Sequence, residues 1–186
     1  MTRWLVIASW IAFYLYWVAH VRVAKANAER QSVAATLPYR ALTLSGGVLL
    51  FLAYLPYPMG LPILPVGHIT REAGIAICYL GLGLAIWSRR TLGDNWSSTV
   101  NLKQGHELVE RGPYRFVRHP IYSAILLMSL GTAVAFDRLS CFIGLVPLFL
   151  GFWIKLLQEE ALMTRQFPKA YPVYMARVRA LVPLLF

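Results

Sequence analysis

The chain has 186 residues, of which 58% are hydrophobic and only 14% charged, yet 18 lysines and arginines against 8 acidic residues leave a net charge of +10. Soluble domains average about 45–50% apolar and about 25% charged residues, so the composition excludes disorder and argues against a free nucleic-acid-binding domain. It is typical of a membrane protein whose charges lie in its loops. Cys78 and Cys141 both lie inside apolar runs, which indicates neither a disulfide framework nor a zinc site.

Five stretches are apolar enough to be predicted as membrane-spanning helices, which need roughly 20 mostly apolar residues. In chain order they cover residues 4–21, 42–57, 73–87, 121–136 and 139–157. We interpret the first as a retained span, because its apolar run is longer than that of a typical signal peptide. A proline-rich connection, residues 56–65, is expected to end the second span. Only two polar residues separate the fourth and fifth spans, which predicts a tight helical hairpin.

Basic residues are distributed unevenly about these spans, and 14 of the 18 fall in the three segments on one side. Because cytoplasmic loops carry an excess of Lys and Arg, the asymmetry predicts an outside N-terminus and a cytoplasmic C-terminus. It also supports an odd number of spans. The membrane would be the inner membrane in a bacterium and the endoplasmic reticulum in a eukaryote.

Polar residues concentrate in two places that the predicted hairpin brings together. One is the segment that ends in Arg118 and His119, directly before the fourth span, and the other is the pair Glu159-Glu160 after the fifth. Each has an ordinary explanation on its own: Arg118 as a membrane anchor, or Glu159 paired with Lys155 at i,i+4. Their conjunction at one membrane interface favours a functional site.

These residues resemble the isoprenylcysteine carboxyl methyltransferase family over roughly residues 75–183. The similarity is carried by Gly112-Pro113-Tyr114, by Arg118-His119-Pro120-Ile121-Tyr122, by Glu159-Glu160 and by Tyr171 and Tyr174. Upstream, Leu92-Gly93, Trp96-Ser97, His106 and Leu108-Val109 fit the same pattern. Membrane methyltransferases of phospholipid amines or small thiols, and some sterol reductases, share parts of this arrangement.

The apolar runs predict an all-α integral membrane protein of one domain with five transmembrane helices, and the resemblance implies an enzyme whose cytoplasmic cofactor pocket is formed by the C-terminal half. Residues 1–72 would form two N-terminal spans and an outer loop, and residues 73–186 the catalytic core. S-adenosylmethionine would be the methyl donor, S-adenosylhomocysteine the product, and no metal is implied. The acceptor would be a lipophilic molecule that enters from the bilayer through a lateral opening between helices. The implied cofactor-binding residues are His106, Glu107, Leu108, Val109, Tyr114, His119, Pro120, Ile121, Tyr122 and Glu159.

We expect Arg118, Lys155, Glu160 and Arg179 to be catalytic residues. The resemblance implies a position near the acceptor for Lys155, and it matches Arg179 to an arginine that the family carries near the C-terminal proline. Lys155 stands where the family carries an arginine, so the charge is retained while bidentate recognition of a carboxylate is not. From residue chemistry, Lys155 and Arg118 are both candidates to bind the donor's carboxylate as a charge-assisted pair.

The acceptor's chemistry is left open by the residues themselves. A carboxylate is already ionised at neutral pH and needs no general base, whereas a thiol or an amine must lose a proton, with His119 or Glu160 to assist. We favour the carboxylate of an isoprenylcysteine-like molecule. The alternatives are a phospholipid amine or small-thiol methyltransferase, a reductase that uses a nicotinamide cofactor, and a non-enzymatic membrane subunit that binds anionic lipid.

Overall fold

The computed structural model describes residues 2–20, 32–52, 56–64, 67–93, 96 and 108–183. Regular structure in these residues is helical throughout, apart from one isolated parallel bridge between Val117 and Arg179. The elements are α1 (Thr2–His20), α2 (Val33–Phe51), α3 (His68–Leu92), a 3-10 turn (Gly112–Arg115), α4 (Pro120–Phe136), α5 (Leu139–Gln166) and α6 (Ala170–Arg177). The all-α prediction is therefore confirmed.

Each predicted span corresponds to one of the helices α1 to α5, but the bounds differ, most of all at the start of α2 and the end of α5. Helix α2 also ends earlier than predicted, at Phe51, before the proline-rich connection that was expected to end it. Helix α2 begins at Val33 and not near residue 42, because Ser32 caps it: its side chain accepts a hydrogen bond of 3.3 Å from the backbone N–H of Ala35. Helix α5 continues to Gln166, past the predicted end at residue 157. Both extensions lie at the end of the bundle that carries the polar residues.

Of the helices in the described residues, α3 and α5 have both the length and the apolar composition to cross a membrane. Helix α4 is apolar but shorter. The positions of the five predicted helices are thus observed, whereas the count of five membrane spans is not confirmed by this criterion.

Helix α2 packs antiparallel against α5, and a close approach of the two backbones fixes their register. A Cβ atom on Gly151 would lie 2.9 Å from the carbonyl oxygen of Tyr39 and 2.7 Å from Cγ2 of Thr43, so only glycine fits there. Towards the polar end of the bundle, the side chain of Gln158 donates a hydrogen bond of 3.2 Å to the carbonyl of Ala35. Tyr39 is thereby placed against the turns of α5 that precede Glu159.

The opposite end of the bundle is closed by the turn between α4 and α5. Asp137 ends α4 in the left-handed conformation, with φ of 50°, and its Oδ1 accepts hydrogen bonds from the backbone N–H groups of Ile63 and Leu64 at 2.9 and 2.8 Å. The predicted tight hairpin is therefore present. It directs the start of α4 and the end of α5 towards the same end.

Candidate active site

The site is built where α4 begins. Pro120 occupies the first turn of α4, where its missing N–H costs no helical hydrogen bond. Just before it, the backbone N–H groups of Arg118 and His119 donate to the carbonyls of Arg179 and Ala180, at 2.8 and 2.9 Å. The segment after α6 therefore holds these two residues against the end of α5.

Arg118 is bound on several sides by the protein itself. Its Nε lies 2.7 Å from Oε1 of Glu160, and both side chains are close to nine-tenths buried. Its Nη1 donates to the carbonyls of Met175, at 3.3 Å, and Val178. These contacts use the guanidinium to join the loop before α4, α5 and α6, so Arg118 acts as a positioning residue.

His119 lies between the two glutamates. Its Nε2 is 3.1 Å from Oε1 of Glu160, its Nδ1 is 3.6 Å from Oε2 of Glu159, and its ring is parallel to that of Tyr122 at a centroid distance of 5.5 Å. Burial lowers the pKa of His119, but the hydrogen bonds and charges of Glu159 and Glu160 outweigh it, and the net pKa is raised. The imidazolium form is therefore favoured.

Glu159 is the more accessible of the two carboxylates, with 22% of its side chain exposed against 9% for Glu160. The hydroxyl of Tyr122 donates to Oε1 of Glu159 at 2.5 Å. The predicted i,i+4 pair is present, since Nζ of Lys155 lies 3.9 Å from the same oxygen. The Lys155 ammonium also lies beside two rings, 5.3 Å from the centroid of Tyr122 and 5.8 Å from that of Tyr39.

The loop that precedes α4 is packed through its 3-10 turn. The hydroxyl of buried Tyr174 donates to the carbonyl of Tyr114 at 2.5 Å. Burial and the charge of Glu159 raise the pKa of Tyr114 far above its ordinary value, so this phenol stays neutral. Gly112 has φ of 59°, and a Cβ atom there would lie 2.9 Å from Oγ1 of Thr91, which explains the glycine.

The structure thus brings six of the implied site residues together: Arg118, His119, Tyr122, Lys155, Glu159 and Glu160. Pro120 and Ile121 are buried in the first turn of α4, Val109 is half-buried, and Leu108 packs against Tyr171 and Tyr174. Arg179 contributes its backbone carbonyl, while its side chain is exposed. His106 and Glu107 lie outside the described residues. The roles that the resemblance implies for all of these residues stay predictions.

Two residues near the site were not found from the sequence. Tyr39 falls outside the predicted second span, so nothing in the sequence singled it out. Arg89 was counted as one of many loop cations, yet it is buried, with 3% of its surface exposed. Its guanidinium donates to the carbonyls of Gly93 and His20, at 2.7 and 2.9 Å, and lies 4.6 Å from the ring centroid of Trp96.

The segment that carries this cluster matches a family of known proteins. The family described as phospholipid methyltransferase matches residues 69–170, more than half of the chain. The chain belongs to the phospholipid methyltransferase family. This is the group of membrane methyltransferases that also includes the isoprenylcysteine enzymes, so the family resemblance noted in the sequence is confirmed.

Individual relatives of this phospholipid methyltransferase family member are distant. It is 27% identical to protein-S-isoprenylcysteine O-methyltransferase B of Arabidopsis thaliana over 129 residues. This match covers 68% of the present chain and 58% of the relative. It is 34% identical over 55 residues to the uncharacterized protein YpbQ of Bacillus subtilis (strain 168), or 29% of this chain and 33% of that protein.

The fold is similar to that of a solved eukaryotic intramembrane Ras methyltransferase, isoprenylcysteine carboxyl methyltransferase. The TM-score is 0.63 at 24% sequence identity, over 85% of this chain and 55% of the solved chain. The present chain therefore spans between a third and about three fifths of the length of the proteins it matches.

Proposed function

We propose that this protein is an integral-membrane methyltransferase that moves a methyl group from S-adenosylmethionine to the carboxylate of a lipophilic, isoprenylcysteine-like acceptor. The observation that carries the proposal is the cluster formed by His119, Tyr122 and Glu159 at one end of the bundle, inside the segment that matches the family. The buried Arg118–Glu160 ion pair supports this cluster, because the same Glu160 oxygen also contacts His119.

The residues present fit the donor's charges. S-adenosylmethionine supplies a methyl group activated on a sulfonium, together with an ammonium and a carboxylate. Glu160 is occupied by Arg118 and His119, whereas the side chain of Glu159 is 22% exposed. Glu159 is therefore the group that offsets a cationic ligand, and partial exclusion of water strengthens the attraction. The guanidinium of Arg118 is bound by Glu160 and by the carbonyls of Met175 and Val178, so Arg118 is not placed to bind the donor's carboxylate.

The residues act by binding and orientation. Tyr122 and His119 fix the carboxylate of Glu159 from two sides, and the rigid hairpin of α4 and α5 carries all three. Methylation of a carboxylate forms a C–O bond while a C–S bond breaks, and no proton moves. A general base is then unnecessary, and well-oriented reactants alone lower the barrier by about 7–11 kcal/mol.

A second candidate acceptor is a phospholipid amine, which the family match favours by name. The Lys155 ammonium beside the site attracts an anionic group directly, and for this reason we favour the carboxylate. Incubation with labelled donor and membrane lipids, followed by mass spectrometry, distinguishes the candidates: a labelled methyl ester supports the carboxylate, and a labelled methylamine supports the phospholipid.

The decisive experiment is the binding of S-adenosylhomocysteine to the purified protein in detergent, by isothermal titration calorimetry. We expect micromolar affinity for the wild type. His119→Ala and Glu159→Ala should abolish it, whereas Glu110→Ala, which alters an exposed ion pair with Arg177, should not. Normal binding by both site variants would contradict the assignment of these residues.

We also propose that all five helices α1 to α5 span the membrane, with the site at the cytoplasmic face. Large apolar side chains cover the outer surface of α1, including Trp4 at 73% exposure and Leu15 at 60%. Such a surface suits contact with lipid. The excess of basic residues at the end that carries the site supports its cytoplasmic orientation.

A further inference from the structure

The phenolic hydroxyl of Tyr39 is buried without a hydrogen-bond partner among the described residues. The residue is only 4% exposed. Buried hydroxyls nearly always have a partner, because one without it has lost its bonds to water and gained none in exchange. An unsatisfied hydroxyl next to an active-site cluster therefore indicates a place where a ligand supplies the partner.

The packing of α2 against α5 places this residue at the edge of the cluster. The backbone carbonyl of Tyr39 faces Gly151, one turn of α5 before Lys155. The Lys155 ammonium lies 5.8 Å from the ring centroid of Tyr39 and 5.3 Å from that of Tyr122, whose hydroxyl bonds Glu159. Tyr39 and Tyr122 therefore flank the same cation, and Tyr39 does so from the N-terminal half of the chain.

We propose that the Tyr39 hydroxyl and the Lys155 ammonium together form the acceptor subsite and bind the acceptor's carboxylate. The inference rests on the proposed function and adds to it a residue that determines specificity. Both groups donate hydrogen bonds, and a carboxylate offers two oxygens to accept them. Lys155 alone would attract the carboxylate as a point charge without fixing its orientation. A hydrogen bond from the Tyr39 hydroxyl, on the other helix, would fix that orientation.

The test compares Tyr39→Phe with the wild type. The substitution removes only the hydroxyl and keeps the ring beside Lys155. Tyr16→Phe is the matched control, since Tyr16 on α1 has the other buried tyrosine hydroxyl without a partner among the described residues, and its ring stacks on His20. The probes are N-acetyl-S-farnesylcysteine, a lipophilic carboxylate, and dodecylamine, a lipophilic amine, each titrated into protein saturated with S-adenosylhomocysteine.

We expect Tyr39→Phe to weaken binding of the carboxylate by about 10- to 100-fold, the size of a hydrogen bond to a charged group. The affinity of Tyr39→Phe for S-adenosylhomocysteine should equal that of the wild type. Its midpoint of thermal unfolding should be unchanged or higher. Tyr16→Phe should bind both ligands like the wild type. The separation of acceptor affinity from donor affinity is a result that a purely structural role for Tyr39 would not give.

Three results would overturn the subsite. In the first, Tyr39→Phe binds the carboxylate as tightly as the wild type does. In the second, the wild type binds S-adenosylhomocysteine but not the carboxylate. In the third, the wild type binds dodecylamine more tightly than the carboxylate. Failure of the wild type to bind S-adenosylhomocysteine is a different outcome, because it contradicts the proposed function itself.

Discussion

Nε of Arg118 donates a hydrogen bond of 2.7 Å to Oε1 of Glu160, which lies 42 residues further along the chain. With side chains only 10% and 9% exposed, the two residues form a buried ion pair between the loop before α4 and the helix α5. The same carboxylate oxygen lies 3.1 Å from Nε2 of His119. One glutamate thus contacts both residues that precede α4.

Removal of one partner of this pair should be costly, because the other charge then remains buried without compensation. We expect Glu160→Gln to lower the free energy of unfolding by about 3–5 kcal/mol. Glu110→Gln is the matched control, because the Glu110–Arg177 pair is exposed, and it should cost no more than about 1 kcal/mol. Denaturant unfolding in detergent measures both, and equal losses would contradict the structural role given to Glu160.

His119 should make stability depend on pH. Its pKa in the folded protein is raised above the ordinary value of about 6.5, because Glu159 and Glu160 outweigh the effect of burial. The stabilisation by the imidazolium is therefore fully present below about pH 6.5 and is lost as the pH rises through the raised pKa. We expect the thermal midpoint of the wild type to fall more steeply than that of His119→Gln as the pH rises above about 6.5. Parallel pH profiles would contradict this linkage.

Much of the site could be predicted from the sequence because its parts lie at the ends of two apolar runs. Only Asp137 and Arg138 separate α4 from α5, and so short a connection requires the two helices to form a hairpin. The hairpin brings His119 and Glu159 to the same end of the helix bundle. The Lys155–Glu159 contact likewise follows from helical spacing. These are local relationships, which residue order determines directly.

The rest depends on contacts between distant segments. Arg118 and Lys155 were equal candidates to bind a carboxylate, and only the carbonyls of α6 and the segment after it show that Arg118 is already bound within the protein. The N-terminal part of α2 lies before the predicted second span, which begins at residue 42. Packing against α5 keeps this part helical. Because that contact joins distant segments, the position of Tyr39 could not be predicted from the sequence.

The proposed orientation predicts which surfaces a membrane-impermeant maleimide reaches in intact cells or spheroplasts. Cys78 and Cys141 are buried and give little background. A cysteine at Tyr57, which is 83% exposed at the end opposite the site, should be labelled from outside, and one at the exposed Lys169 only after the membrane is permeabilised. Reversed labelling would place the site outside, and labelling of both positions from one side would contradict the proposal that α3, α4 and α5 all span the membrane.

The close contact of α2 with α5 predicts opposite effects for two glycine substitutions in this helix pair. In Gly151→Ala, the new methyl group would lie 2.9 Å from the carbonyl oxygen of Tyr39, so the helices must separate, at about 1–3 kcal/mol of unfolding free energy. Gly47→Ala meets no atom within 4 Å and should instead stabilise α2 by about 0.5–1 kcal/mol.

The two variants also test the position of Tyr39. Separation of α2 from α5 should move the Tyr39 hydroxyl away from Lys155, so Gly151→Ala should weaken binding of the lipophilic carboxylate. S-adenosylhomocysteine, whose proposed site is formed by α4 and α5, should bind normally. Gly47→Ala should leave both affinities unchanged. Denaturant unfolding and calorimetry on the same preparations give the two readouts. A Gly151→Ala protein with wild-type stability and wild-type carboxylate binding would show that the two helices are not in the contact described.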